Sequence, residues 1–181
     1  MAKSKFITIE VNPVCHSSEV DDGDNLFLWA EIPNATPRGN GGTSILRSIT
    51  AIDFDDNNAD IELYFAQTKD ADASVTGALG AASTIVNMTD AEVRTLKPLG
   101  QHMFPDVSHH ESGDYANSRF YIINRPGGST TINIPMFSFP TQAQIDAGNA
   151  VPGSIYVMGV ATATKTYSVN GLKFYFTFEI A

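Results

Sequence analysis

The side chains best suited to chemistry fall in three places. His102, His109 and His110 share one stretch with Asp106, Glu111 and Asp114. Imidazole with carboxylate is the donor set of zinc and non-haem iron centres, so these three histidines are the candidate metal ligands. Their spacing matches no standard zinc motif. Neighbours such as His109 and His110 also point to opposite sides of an extended chain. The expectation is a solvated or interfacial loop over 102–117, with no metal and no cofactor. The second place is Asp53-Phe54-Asp55-Asp56-Asn57-Asn58-Ala59-Asp60. It begins like a calcium loop, but Asn58 stands where the glycine is needed and Tyr64 where the bidentate glutamate is needed. Asp and Asn are also the residues that tight turns prefer, so a plain turn is expected. The acidic run at 19–24 is expected to be solvated. The third place is Cys15-His16, a thiol beside a base. Adjacent residues diverge on an extended chain, and the expectation is a buried or inert thiol.

No G-x-S-x-G, P-loop, G-x-G-x-x-G or H-E-x-x-H is present. Arg38-Gly39-Asn40-Gly41-Gly42 is glycine-rich but leads into a strand, not a helix N-terminus, so it cannot cradle phosphate in the usual way. Separated Ser, His and Asp residues can still meet in space. A small hydrolase built around His102, His109 and His110 is therefore one hypothesis, and a non-enzymatic protein is the expectation.

The elements that must position these residues read as strands. At 181 residues the chain fits one domain, expected to span 1–181 with a short helical insert near 89–97. A lone cysteine excludes an internal disulfide framework and suggests a reducing compartment or indifference to redox. The formal net charge of −9 argues against nucleic acid and against an anionic membrane surface. No apolar run approaches the roughly 20 residues of a membrane-spanning helix. The first ten residues alternate like a strand and do not resemble a signal-peptide core. Charged residues are 17% of the chain, against about 25% in typical soluble domains, so the surface is neutral-polar and suited to packing on neighbours.

Leu172, Phe174, Phe176, Phe178 and Ile180 alternate with Lys173, Tyr175, Thr177 and Glu179, which predicts a strand with one core face. A β-prone run at 155–167 precedes it, and Asn170-Gly171 between them predicts a type I′ hairpin. Ile7, Ile9 and Val11 mark another strand. Residues 26–32 are apolar on nearly both faces, which predicts a central strand with Trp29 buried. Residues 45–54 and 61–65 predict a second hairpin across the acidic turn, and 120–123 and 130–134 two more strands. Thr89-Asp90-Ala91-Glu92 and Thr141-Gln142-Ala143-Gln144 are capping boxes, stopped by Pro98 and Gly148 respectively. The fold expected is mostly β: an antiparallel, jelly-roll-like β-sandwich with one or two short helices in its loops.

The order of segments resembles a family of tailed-bacteriophage virion proteins found among head decoration and auxiliary proteins. The resemblance rests on Gly41-Gly42-Thr43-Ser44-Ile45-Leu46-Arg47-Ser48-Ile49 and on the strand from Asp60 to Phe65. It rests also on Tyr156 to Ala161, on Thr164-Lys165-Thr166-Tyr167 and on Leu172 to Ile180. About half the chain is covered, and the pattern is one of hydrophobicity and turns. It implies a β-sandwich on the outside of a capsid, commonly a trimer, partnered by the major capsid protein or other virion proteins and made in the host cytoplasm. It supplies no catalytic residues. A tail, fibre or carbohydrate-binding β-sandwich is the alternative, and it requires exposed aromatics converging on a groove.

Overall fold

A computed structural model describes residues 5–37, 42–57, 61–69, 94–104, 119–123 and 132–180, with backbone alone at 103–104 and 119–123. The described strands are β1 (Lys5–Val11), β2 (Asn25–Ile32), β3 (Gly42–Asp53), β4 (Ile61–Ala66), β5 (Pro98–Phe104), β6 (Arg119–Ile123), β7 (Ile134–Ser138), β8 (Ile155–Ala161) and β9 (Leu172–Ile180). One sheet runs β1-β9-β3-β6, with β7 also on β3, and the other runs β2-β8-β4-β5. β6 pairs with Ile49 to Asp53 and β7 with Gly42 to Leu46, so the two short strands together line the twelve-residue β3. Counted as one interrupted strand, they complete the eight-stranded, two-sheet order of a jelly roll. All pairings are antiparallel. The fold is the expected antiparallel β-sandwich.

Period-two alternation builds the core. In β9, Leu172, Phe174, Phe176 and Phe178 are buried, while Lys173, Tyr175 and Thr177 are half-exposed on the other face. β9 sits between β1 and β3 in the middle of its sheet, so its aromatic face is enclosed on both flanks. Phe174 meets Phe27 of the opposite sheet at 5.7 Å between ring centroids, and Phe176 meets Phe65 edge-on at 5.9 Å. β8 is buried along its whole length. Its Gly159 lies opposite Phe27, and a Cβ there would lie 2.2 Å from the Phe27 ring. The glycine makes room for the aromatic that joins the sheets.

Neither expected hairpin forms. β8 and β9 belong to different sheets, as do β3 and β4, because a sandwich needs chain on both sides of its core. Asn170-Gly171 makes a turn of another kind: the Gly171 N–H donates to the Ser168 carbonyl at 2.9 Å, placing Val169 and Asn170 at the corner and glycine last. No positive φ occurs at Asn170 or Gly171, so this is not a type I′ turn. What fixes Gly171 is proximity: a Cβ there would lie 2.0 Å from Asp55 Oδ2. Asp55 accepts the Ser168 N–H at 2.7 Å and its hydroxyl at 3.0 Å, and the Phe54 N–H donates to the Gly171 carbonyl at 2.8 Å. The two turns thus staple each other at one end of the sandwich.

Other expectations shift in detail. The run at 155–167 is a strand only to Ala161. The strand expected at 130–134 is Ile134–Ser138, whose Pro135 is tolerated because β7 lies at a sheet edge. β2 is an edge strand, not a central one. The second capping box is present: Thr141 caps the helix α1 (Gln142–Asp146), Gln144 reciprocates, and Gly148 follows at φ 72°. Residues 94–96 are helical and end at Leu96, as expected, whereas the Thr89 box lies outside the described residues.

Phe176→Asp places an uncompensated carboxylate between two aromatic rings and is expected to abolish folding, read as loss of any cooperative urea transition. Phe176→Ala should fold but lose about 3–5 kcal/mol. A folded Phe176→Asp protein means that the faces of β9 are reversed. Gly171→Ala should cost about 1–3 kcal/mol by expelling the Asp55 carboxylate from Ser168. Combined with Asp55→Ala, the loss should be clearly less than additive in the same unfolding assay.

Candidate functional site

Among the described residues, the candidate reactive groups do not come together. His102 lies in β5, not in a loop, and pairs with Leu63, whose side chain is in the core. That register puts His102 on the inward face of its sheet, where burial holds its imidazole below the ordinary pKa. His109 and His110 lie outside the described residues. Among the described residues, no group of three or more His, Cys, Asp or Glu side chains is placed to hold a metal ion.

Cys15 is in the core, and burial pushes its thiol up to about 12, so it holds its proton at neutral pH. Asp53 is fully buried, and its two carboxylate oxygens accept the N–H groups of Asp55 and Asn57, both at 2.9 Å. Burial raises its carboxyl above the ordinary value, the two N–H groups oppose this, and the neighbouring Asp55 and Asp56 charges add to it. Its carboxylate therefore organises the acidic turn. In the run at 19–24, Asp24 is buried, contrary to expectation, and accepts the Asp21 N–H at 3.0 Å.

The concave surface lies elsewhere, beside β2. β1 ends at Val11, and Pro13 has no N–H to continue a ladder. The chain swings away and returns so that Cys15 bridges Phe27 and the His16 N–H donates to the Leu26 carbonyl at 3.0 Å. Between these two points a groove of about 560 Å³ opens, lined by residues 10–16 on one side and by Leu28, Trp29, Ala30, Glu31 and Pro33 on the other. A second groove of about 310 Å³ shares Glu31 and Pro33 and adds Asn34, Val151, Pro152 and Ser154.

A β-bulge explains why Trp29 is here and not in the core. Phe27 pairs with Gly159 and Ala30 with Val157, so Leu28 and Trp29 together oppose the single residue Met158. The extra residue resets the alternation. Phe27, Ala30 and Ile32 pack on the core, whereas Leu28 and Trp29 turn outward onto Met158 and Val160. Trp29 is therefore half-exposed, which corrects the expectation that it is buried. Trp29 Nε1 and His16 Nε2, both from groove-lining residues, have no hydrogen-bond partner among the described residues.

The two carboxylates of the groove differ. Glu10 accepts from the Asn12 amide at 3.0 Å and pairs with Lys173 Nζ at 3.0 Å, and these bonds hold its carboxyl below the ordinary range. Glu31 accepts the Ser154 hydroxyl at 2.6 Å. Its charge also helps burial push the Tyr156 phenol up to about 12. Exposed Val14 (71%) and Val151 (45%) flank the grooves, so apolar side chains lie beside one carboxylate that no cation among the described residues neutralises. Such a surface suits binding. Sequence reading missed it because the bulge that exposes Trp29 depends on the β8 register. The one available signal was Glu31, a lone charge in an apolar strand.

Neither a protein-family model nor a curated protein sequence matches this chain. Among solved structures, the chain is similar to one described as the structure of tomato aspermy virus by X-ray crystallography. Sequence identity is 10%, the alignment covers 99% of this chain and 78% of that chain, and the TM-score is 0.38. A likeness of that size carries no argument. The class of this protein, a jelly-roll β-sandwich, rests on its own strand pairing.

The raised carboxyl of Asp53 sets a sign for pH dependence. The native state keeps this proton to a higher pH than the unfolded chain, whose value is near 3.8. Its contribution is therefore greatest in acid and is lost as pH rises from the unfolded value through the native one. Urea unfolding across weakly acidic pH should show a smaller fall in stability with rising pH for Asp53→Asn than for the unchanged protein. Identical slopes would remove Asp53 as the cause.

Proposed function

We propose that this chain is a non-enzymatic virion structural protein, a decoration or cement protein that binds the outer surface of a capsid and stabilises the head. The observation that carries the reading is where the phage-like segments fall. Residues 40–68 and 154–181 supply β3, β9, β4 and β8, the inner strands of both sheets. The resemblance thus concerns the centre of the fold. Jelly rolls are common in viral capsid proteins, although fold alone does not fix function. The net charge of −9 suits a partner that is protein, with neither nucleic acid nor membrane involved. On this reading the chain is a homo-oligomer, a trimer by the family resemblance. It is made in the host cytoplasm and resides on the capsid exterior beside the major capsid protein.

One observation favours a second reading, a carbohydrate-binding module. Trp29 lines a groove with Asn12, Glu10 and Glu31, an aromatic beside polar groups. Two measurements separate the readings. The first expects a native mass three times that of the chain and co-sedimentation with capsids assembled from the major capsid protein of the same genome. A monomer that stays in the supernatant defeats it. Specific, saturable hits on a glycan array with no capsid binding would put the second reading in its place.

A further inference from the structure

We infer that the double groove beside β2 is the docking surface for a protein partner that inserts an apolar loop carrying one arginine or lysine, with the basic side chain pairing with Glu31. This rests on the reading that the chain works by packing on other proteins, and it names the surface and the partner's chemistry. Glu31 belongs to both grooves, so the surface is continuous around it. Apolar side chains flank it, Pro13, Val14 and Trp29 on one side and Val151 and Pro152 on the other, beside the polar Asn34 and Ser154. Val14 and Val151 expose 71% and 45% of their surface, and outward valines flanking an aromatic resemble an interface core more than an ordinary solvated face.

Charge selects the occupant. Glu10, the other carboxylate in the lining, is already paired with Lys173, whereas the described bond of the Glu31 carboxylate is to a neutral hydroxyl. A cation brought to Glu31 meets an exposed carboxylate that no cation among the described residues neutralises, and Trp29, in the same lining, is the side-chain type that attracts cations best. The planar, weakly hydrated guanidinium suits such a place better than an ammonium. The bulge decides how the partner docks. β2 is an edge strand and would ordinarily invite strand addition, but two residues against one at Leu28 and Trp29 break its ladder where the groove lies. Contact through side chains is left.

Trp29 is the only tryptophan, so its emission reports on this surface directly. The probes are four short peptides of Val and Pro around one central Arg, Lys, Gln or Glu. The Arg and Lys peptides should shift Trp29 emission saturably, and the Gln and Glu peptides should not. Glu31→Lys should weaken Arg-peptide binding by about tenfold or more, as expected for reversing one charge of a contact pair. Asp146→Lys makes the same charge change outside both grooves and should leave binding unchanged. An equal response to all four peptides, no response to any, or equal loss in both variants overturns the inference. Capsid co-sedimentation keeps the two proposals apart. Capsid binding that survives Glu31→Lys removes this surface and leaves the function standing. Groove binding of Arg peptides by a chain with no affinity for capsids removes the function and leaves the surface.

Discussion

Phe174 and Phe176, stacked at 5.8 Å on β9, reach across the sandwich to Phe27 and Phe65, and the rest of the architecture is arranged around that contact. Two sheets must each offer an aromatic face at the same depth. The chain meets this requirement by placing consecutive strands in opposite sheets at most of its connections. Gly159 lets Phe27 approach β8, and the central position of β9 keeps its aromatic row away from both sheet edges. That row is the aromatic centre of one core, to which β2, β3, β4 and β8 also contribute buried side chains from both sheets.

Departures from regular pairing carry the surface features. The bulge in β2 moves Trp29 from the inner to the outer face. Another irregularity in β3 leaves Arg47 without a partner residue in β9 and turns it to the carboxylate of Glu179 and the amide oxygen of Asn133. In each case the core pattern on either side is preserved: Leu46 and Ile49 remain buried around Arg47, as Phe27 and Ile32 do around Trp29. A one-residue insertion changes which face a side chain uses, so a bulge can export a residue from an otherwise regular strand without disturbing its neighbours.

The buried carboxylates serve structure. Asp53 and Asp24 accept backbone N–H groups within their own turns, and Asp55 ties one turn to another through Ser168. A cluster of acids in the sequence therefore corresponds to satisfied backbone donors at the ends of the sandwich. Glu31 differs: its carboxylate accepts a side-chain hydroxyl, that of Ser154, and lies in the lining of both grooves beside β2.

The sequence by itself determined several strands and the faces of the most regular ones. Alternation in β1 and β9 placed the core residues correctly, and the Thr141 box specified α1, because both signals depend only on local spacing. It also marked Cys15 as a buried thiol. Tertiary structure alone decided which strand pairs with which. Asn170-Gly171 has the local preference of a hairpin, yet the chain on either side is claimed by different sheets, so the dipeptide serves a turn fixed by Asp55. It decided that His102 faces inward and that Trp29 faces outward, since each depends on the register of a strand distant in sequence. Pairing over long separations is a property of the whole core, and the groove beside β2 exists only once that pairing is complete.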